Sequence, residues 1–161
     1  MKQIQLTRGQ VALVDDEDYD YLMQWKWSAH LNNNRYFYAE RGIKVNGKCK
    51  TIRMHVDLMK PKIGNIVDHI NHNTLDNRKH NLRVCTRSQN NANRTSVKNS
   101  SSKYLGVGFE KDRGWTARIR KDGIGYRLGT FNTEEEAAIA YNEKAIELHK
   151  NFANLNIILW K

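Results

Sequence analysis

The feature that most restricts the fold is a break in hydrophobic patterning at residues 95–103, TSVKNSSSK, a polar stretch with no apolar period. Such composition reads as a linker, so the chain is expected to form two small domains, 1–94 and 104–161. Domains commonly run to ~100–150 residues. With 161 residues, 39% of them hydrophobic, the chain can build modest cores but not one large one. No apolar run approaches the ~18–20 residues needed to cross a bilayer. The opening MKQIQLTRGQ lacks the apolar stretch of a signal peptide, so the product is expected to stay in the compartment where it is made. Cys49 and Cys85 are too few for a disulfide framework or a four-thiolate zinc site and read as reduced thiols.

The formal net charge is +10, and its distribution says more than its size. Residues 1–24 and 131–161 are net acidic, and the basic excess lies between residues 25 and 130. Segregated positive charge suits a polyanion-binding surface, with nucleic acid ahead of acidic membrane lipid.

Residues 3–14 read as short strands around a turn at Arg8-Gly9, and 15–25 as a short helix with acids in its first turn, where the helix dipole favours them. Residues 35–43 and 48–56 read as strands joined at Asn46-Gly47, a pair that tolerates positive φ at both positions of a tight hairpin. A helical turn over 55–60 is stopped by Pro61. Strands at 66–70 and 82–85 flank a polar loop, 71–81. Thr86 with Gln89 three residues on forms a capping box, so a helix should begin near Arg87. Beyond the linker, strands at 104–109, 115–121 and 126–131 precede an amphipathic helix over 133–150, capped by Thr133 and Glu136. This predicts a three-stranded antiparallel sheet covered by one helix, with the apolar 157–160 docking back on a core. The fold class is α+β.

The chemistry concentrates in residues 66–94, IVDHINHNTLDNRKHNLRVCTRSQNNANR. Phosphodiester hydrolysis needs a nucleophilic water, a base for its proton, and positive charge for the developing oxyanion. The strand–loop–strand–helix order should bring Asp68, His69, Asn81 and Asn90 together. His69 suits the base, being largely neutral at pH 7 with an ordinary pKa of ~6.5. Asp68 and the Asn90 amide offer hard oxygens, which favour Mg²⁺ or Mn²⁺. Neighbours on a strand face opposite ways, so Asp68 and His69 serve one site only if the strand ends or twists there. His55 reads as a packed histidine, and His72 and His80 as loop residues. A zinc site from Cys49, Cys85, His55 and His72 matches no common spacing. Arg83, Arg87 and Arg94 lie beside the proposed site and are expected to contact phosphate.

The pattern VDHI…LDNR…NLR…TRSQN resembles the HNH nuclease motif, a strand–strand–helix (ββα) metal fold of colicin nucleases and phage homing endonucleases. The resemblance implies that Asp68 and Asn90 hold one divalent metal ion per chain, Mg²⁺ first and Mn²⁺ second. It makes His69 the general base and Asn81 the central asparagine, whose amide ties the loop and orients the histidine. The metal would bridge the scissile phosphate and the departing 3′ oxygen, leaving 5′-phosphate and 3′-hydroxyl ends. Asn90 stands where colicin-type members carry histidine, which argues against a zinc-preferring site. Asn71-His72 replaces the usual acidic–glycine pair.

Residues 104–156 resemble the plant ethylene-response-factor (Apetala-type) DNA-binding domain. The Y-x-G-V start, the W-x-A-x-I-R strand, LGTF and the EEAAxAY helix all match. Carried over by position, Trp115, Arg118, Arg120 and Arg127 would contact DNA from the sheet. Arg118 and Arg120 share a strand face, while Ala117 and Ile119 alternate towards the helix. Leu105 and Gly108 stand where plant members have arginines, and Arg127 replaces a tryptophan.

The two resemblances together imply a double-stranded-DNA endonuclease with an added binding module, monomeric or homodimeric, with no protein partner. They suggest a homing endonuclease in the cytoplasm of a phage's bacterial host. Residues 1–60 form a β-rich extension whose aromatic residues read as core. One rival is a DNA-binding regulator with a degenerate nuclease motif, against which the intact Asp68, His69 and Asn90 argue. Another is an RNA-binding protein, since charge does not distinguish nucleic acids.

Overall fold

The computed structural model describes residues 1–95 and 100–159. Of the expected linker, residues 96–99 lie outside the described residues, as does Trp160 of the terminal apolar run. Contacts divide the chain into two compact units, Met1–Thr86 and Arg87–Lys161.

The first unit opens with the antiparallel pair β1 (Lys2–Gln5) and β2 (Val11–Val14), joined through the expected turn, where Arg8 and Gly9 both take positive φ. Helix α1 (Asp16–Leu22) carries Asp16, Glu17 and Asp18 in its first turn. A three-stranded antiparallel sheet follows, with β3 (Ser28–Asn32) and β5 (Lys48–Arg53) on either side of β4 (Tyr36–Val45). The Asn46-Gly47 hairpin is as expected, with φ of 51° and 74°. Strand β3 was not anticipated, because SAHLN shows only weak alternation. The detectable signal lay beside it: in the three-residue connection between Asn32 and Tyr36, Asn33 and Asn34 take φ of 49° and 51°, positive values at which asparagine is enriched. Helix α2 (Met54–Met59) ends at Lys60, in the left-handed region just before Pro61. The unit closes on the antiparallel pair β6 (Ile66–His69) and β7 (Leu82–Cys85). Its core is built from Ile4, Leu6, Ala12, Val14, Leu22, Trp27, Ala29, Ala39 and Met54. The aromatic residues Trp25 and Phe37 pack against it, as expected for core rather than base-stacking platforms.

The second unit begins with α3 (Arg87–Ala92), starting where the sequence placed it. Strands β8 (Val107–Glu110), β9 (Gly114–Lys121) and β10 (Ile124–Phe131) form an antiparallel meander with β9 in the middle. Helix α4 (Glu134–His149) covers it, and both hydrogen bonds of the Thr133–Glu136 capping box are present. Small residues let the helix approach closely: Ala137, Ala138 and Ala145 are fully buried against Val107, Ala117 and Ile119. Gly106 has φ +74°, and a Cβ there would overlap the Tyr141 ring and lie 2.6 Å from the Arg118 carbonyl oxygen, so only glycine fits. Of the C-terminal apolar run expected to dock on a core, Ile158 packs here while Ile157 and Leu159 are exposed. The mixed α+β class therefore holds, as several small sheets and four α-helices among the described residues. None of the described helices is long and apolar enough to cross a membrane.

Candidate active site

Asp68 and His69 are the last two residues of β6, and both are buried. The strand ends at His69, which meets the condition for adjacent residues to serve one region. Asp68 lies directly opposite Arg83 on β7. Arg83 donates from Nε and Nη2 to Asp68 Oδ2, at 3.0 and 2.9 Å. Arg83, expected as a phosphate contact, is thus engaged in a largely buried ion pair with the expected metal ligand.

His69 Nε2 lies 3.4 Å from Asn77 Oδ1. Asn77 Nδ2 donates to the Leu75 carbonyl at 3.2 Å, which assigns its oxygen to the histidine side. An amide oxygen only accepts, so the contact is a hydrogen bond in the tautomer that carries its proton on Nε2. Burial lowers the His69 pKa, opposed by the Asn77 hydrogen bond and the neighbouring Asp68 charge. Asn77 is fully buried, and sequence reasoning gave it no role. The available signal was an asparagine within LDNR, flanked by a leucine that packs on the core.

The loop between the strands is mostly polar, with Leu75 packed on the core, and polar side chains hold the rest. Asn81 ties its two ends: Nδ2 donates to the Asp76 carbonyl at 2.8 Å, and Oδ1 accepts from the Asn71 backbone N–H at 2.9 Å. It makes no hydrogen bond to His69; the asparagine that meets the imidazole is Asn77. Asp76 receives both Nε and Nη2 of Arg78 at 2.7 Å and Asn71 Nδ2 at 3.0 Å, and these hold its pKa low, Arg78 first. His72 adopts φ +63°, the conformation a glycine would favour in this turn. The N-terminal extension grips the same loop. Leu13 of β2 accepts from the Asn77 N–H and donates to the Leu75 carbonyl, both at 2.8 Å. Asp15 accepts from the Lys79 N–H, while Glu17 and Asp18 flank the Lys79 ammonium. The acidic start of the chain is used here.

A second histidine stands behind the first. The ring centroids of His55 and His69 are 4.8 Å apart at 75°, and Tyr38 lies 5.6 Å from His55 and 6.3 Å from His69. Burial and the His69 and Arg53 charges push the His55 pKa down to about 3. His80 is exposed, Cys49 is exposed and Cys85 is buried.

Asn90, the other expected metal ligand, belongs to α3 and to the second unit, where its carbonyl accepts from the Asn93 N–H at 3.2 Å. In that unit Arg94, Arg118, Arg120 and Arg127 line one open cleft of about 790 Å³, with Tyr126 and His149; Arg87 is exposed and outside it. Glu110 pairs with Arg118 and lies 3.6 Å from Arg127. Trp115 parts from the arginines: it packs on the helix-side core with Val107 and Ala117, its ring 5.2 Å from Phe109. Alternation along β9 requires this, since 115, 117 and 119 share a face.

Among the described residues no group of three or more His, Cys, Asp or Glu is placed to hold a metal ion. This donor set still fits a magnesium-like ion, which keeps several waters and needs only one or two carboxylates plus substrate phosphate. It does not fit zinc, which takes three or four nitrogen or sulfur ligands.

A buried Asp–His pair ends one strand of a short hairpin, with an asparagine-tied loop behind it. A family model for HNH endonucleases matches residues 61–92. An uncharacterized HNH endonuclease of Acanthamoeba polyphaga mimivirus is 31% identical over 157 residues, spanning 94% of this chain and 77% of that protein. The chain belongs to the HNH endonucleases, and is a nuclease acting on DNA. HNH nucleases generally depend on a divalent metal ion. The chain is also 43% identical over 61 residues to the dehydration-responsive element-binding protein 2D of Arabidopsis thaliana, covering 37% of this chain and 30% of that protein. No solved structure matches it significantly.

Proposed function

We propose that the chain hydrolyses DNA phosphodiesters with His69 as general base, Asp68 and Asn90 as ligands of a single divalent ion, Mg²⁺ before Mn²⁺, and Asn81 as the tie of the loop. The observation that carries this is the hydrogen bond from His69 Nε2 to Asn77, at the end of a strand whose preceding residue is a buried carboxylate. With its proton on Nε2, the ring would take the proton of the attacking water at Nδ1, and the imidazolium formed would keep its Nε2–H on the Asn77 oxygen. Water oxygen bonds to phosphorus as the P–O3′ bond breaks, giving a 5′-phosphate and, once protonated, a 3′-hydroxyl. Arg83 holds the Asp68 carboxylate in place from the neighbouring strand. The bound ion would supply Lewis-acid stabilisation of the charge developing on phosphate and leaving oxygen.

The catalytic module is read as 1–94, with α3 completing a ββα arrangement, and 104–161 as an ethylene-response-factor-type module. The similarity to the plant element-binding protein supports the second reading. Arg118, Arg120 and Arg127 would contact DNA there, while Trp115 serves the core. Two linked weak binders raise the effective concentration at one locus. The setting is that of a homing endonuclease, acting as monomer or homodimer.

The test is nicking of a supercoiled plasmid with and without Mg²⁺, wild type against His69→Ala. The substitution abolishes cleavage and leaves DNA binding nearly unchanged. Equal nicking by both proteins removes His69 from the mechanism.

A further inference from the structure

We propose that His55, carried by the segment before the nuclease motif, is a positioning residue that sets the plane of the His69 imidazole by ring packing. The proposal rests on the reading of His69 as the general base.

The hydrogen bond to Asn77 pins one atom of the His69 ring, at a long 3.4 Å. Histidine χ2 is a soft, roughly two-fold torsion, and a wall packed against the ring narrows it. His55 supplies it edge-on at 4.8 Å, and Tyr38 closes the same wall from β4. The wall is itself braced: the Arg53 guanidinium stacks over the Tyr38 ring at 4.5 Å, and its Nε donates to Glu40 at 2.9 Å. His55 Nδ1 is buried with no hydrogen-bond partner among the described residues, so polar bonding at that atom does not hold the ring. Its burial also keeps it uncharged near neutral pH. What His55 offers His69 is therefore shape. Residues 1–60 then have a function beyond packing: they carry the wall on which the nuclease histidine rests.

The experiment measures plasmid-nicking rate against plasmid concentration in Mg²⁺ for the full chain, with DNA affinity and melting temperature of each variant. His55→Ala should lower kcat by about 10- to 100-fold, the scale of a base displaced by ~1 Å, with KM and DNA affinity unchanged. His55→Phe, which restores the wall, should return kcat to within about threefold of wild type. Should His55→Ala not fold, the same split between kcat and KM is expected for Tyr38→Leu. A His55→Ala protein that folds and turns over like wild type overturns the proposal, as does a folded His55→Phe protein as slow as the alanine variant. If His69→Ala itself nicks normally, the base reading falls first. If only His69→Ala is inactive, that reading stands and the positioning role falls alone.

Discussion

The two regions proposed to act on DNA are built by opposite physics. At the nuclease site Asp68 and His69 are 8% and 5% exposed, and every neighbour that orients them is buried or half-buried. On the β8–β10 sheet the side chains of Arg118 and Arg127 are 60% and 42% exposed and pair with Glu110 at the surface. A reaction needs one geometry, which buried and mutually satisfied polar groups provide. Affinity for a polyanion needs accessible charge, and exposed ion pairs are weak enough, at about 0–1 kcal/mol, to exchange for phosphate. Removing one group should therefore matter greatly at the first region and little at the second.

The largest expected effect is on rate. Asn77→Ala removes the acceptor that faces His69 Nε2, so nicking at saturating DNA should fall by roughly 100-fold, about 2.7 kcal/mol of barrier, while DNA binding persists. A rate within a few-fold of wild type would mean that the loop does not set the base.

Asn81→Ala deletes two side-chain hydrogen bonds and leaves the Asn71 N–H and the buried Asp76 carbonyl short of partners. A loss of about 2–3 kcal/mol is expected in urea unfolding.

Burial of His55 adds a pH dependence. Its folded pKa of about 3 lies below the ordinary 6.5, so between those values the unfolded chain binds the extra proton. Stability is full above pH 6.5 and is lost as pH falls, by about 1.4 kcal/mol per unit. His69 shifts the same way. Thermal melts from pH 7 to pH 5 should show the loss, and His55→Phe should reduce it. An unchanged slope would place the titration elsewhere.

The smallest effect is on the sheet. Arg118→Ala or Arg120→Ala should weaken duplex binding modestly and lower the salt slope by about one counterion each, with kcat unaltered. A collapse of kcat in either variant would erase the distinction between the two regions.

Much of this contrast was legible in the chain. The Asn46-Gly47 hairpin, the Thr133 capping box and the Ala-rich face of α4 are local patterns with local causes, and the structure has each of them. Strand β6 was expected over 66–70, and the structure ends it at His69, which puts the Asp68-His69 pair at its end. The elements not anticipated depend on distant partners. Strand β3 is weakly patterned and exists because β4 pairs with it. Asn77 matters because its N–H and amide meet β2, the Leu75 carbonyl and the His69 ring. Arg83 was read as a phosphate contact, but cross-strand register sets it against Asp68.

By itself the sequence determined the α+β class, the nuclease family and the chemistry of the groups that titrate or carry charge, because these follow from residue type and short-range spacing. Only the tertiary structure decided which asparagine meets the histidine, that Arg83 pairs with Asp68, and which rings pack on the histidine. Those are contacts between side chains up to dozens of residues apart, and no local propensity encodes them.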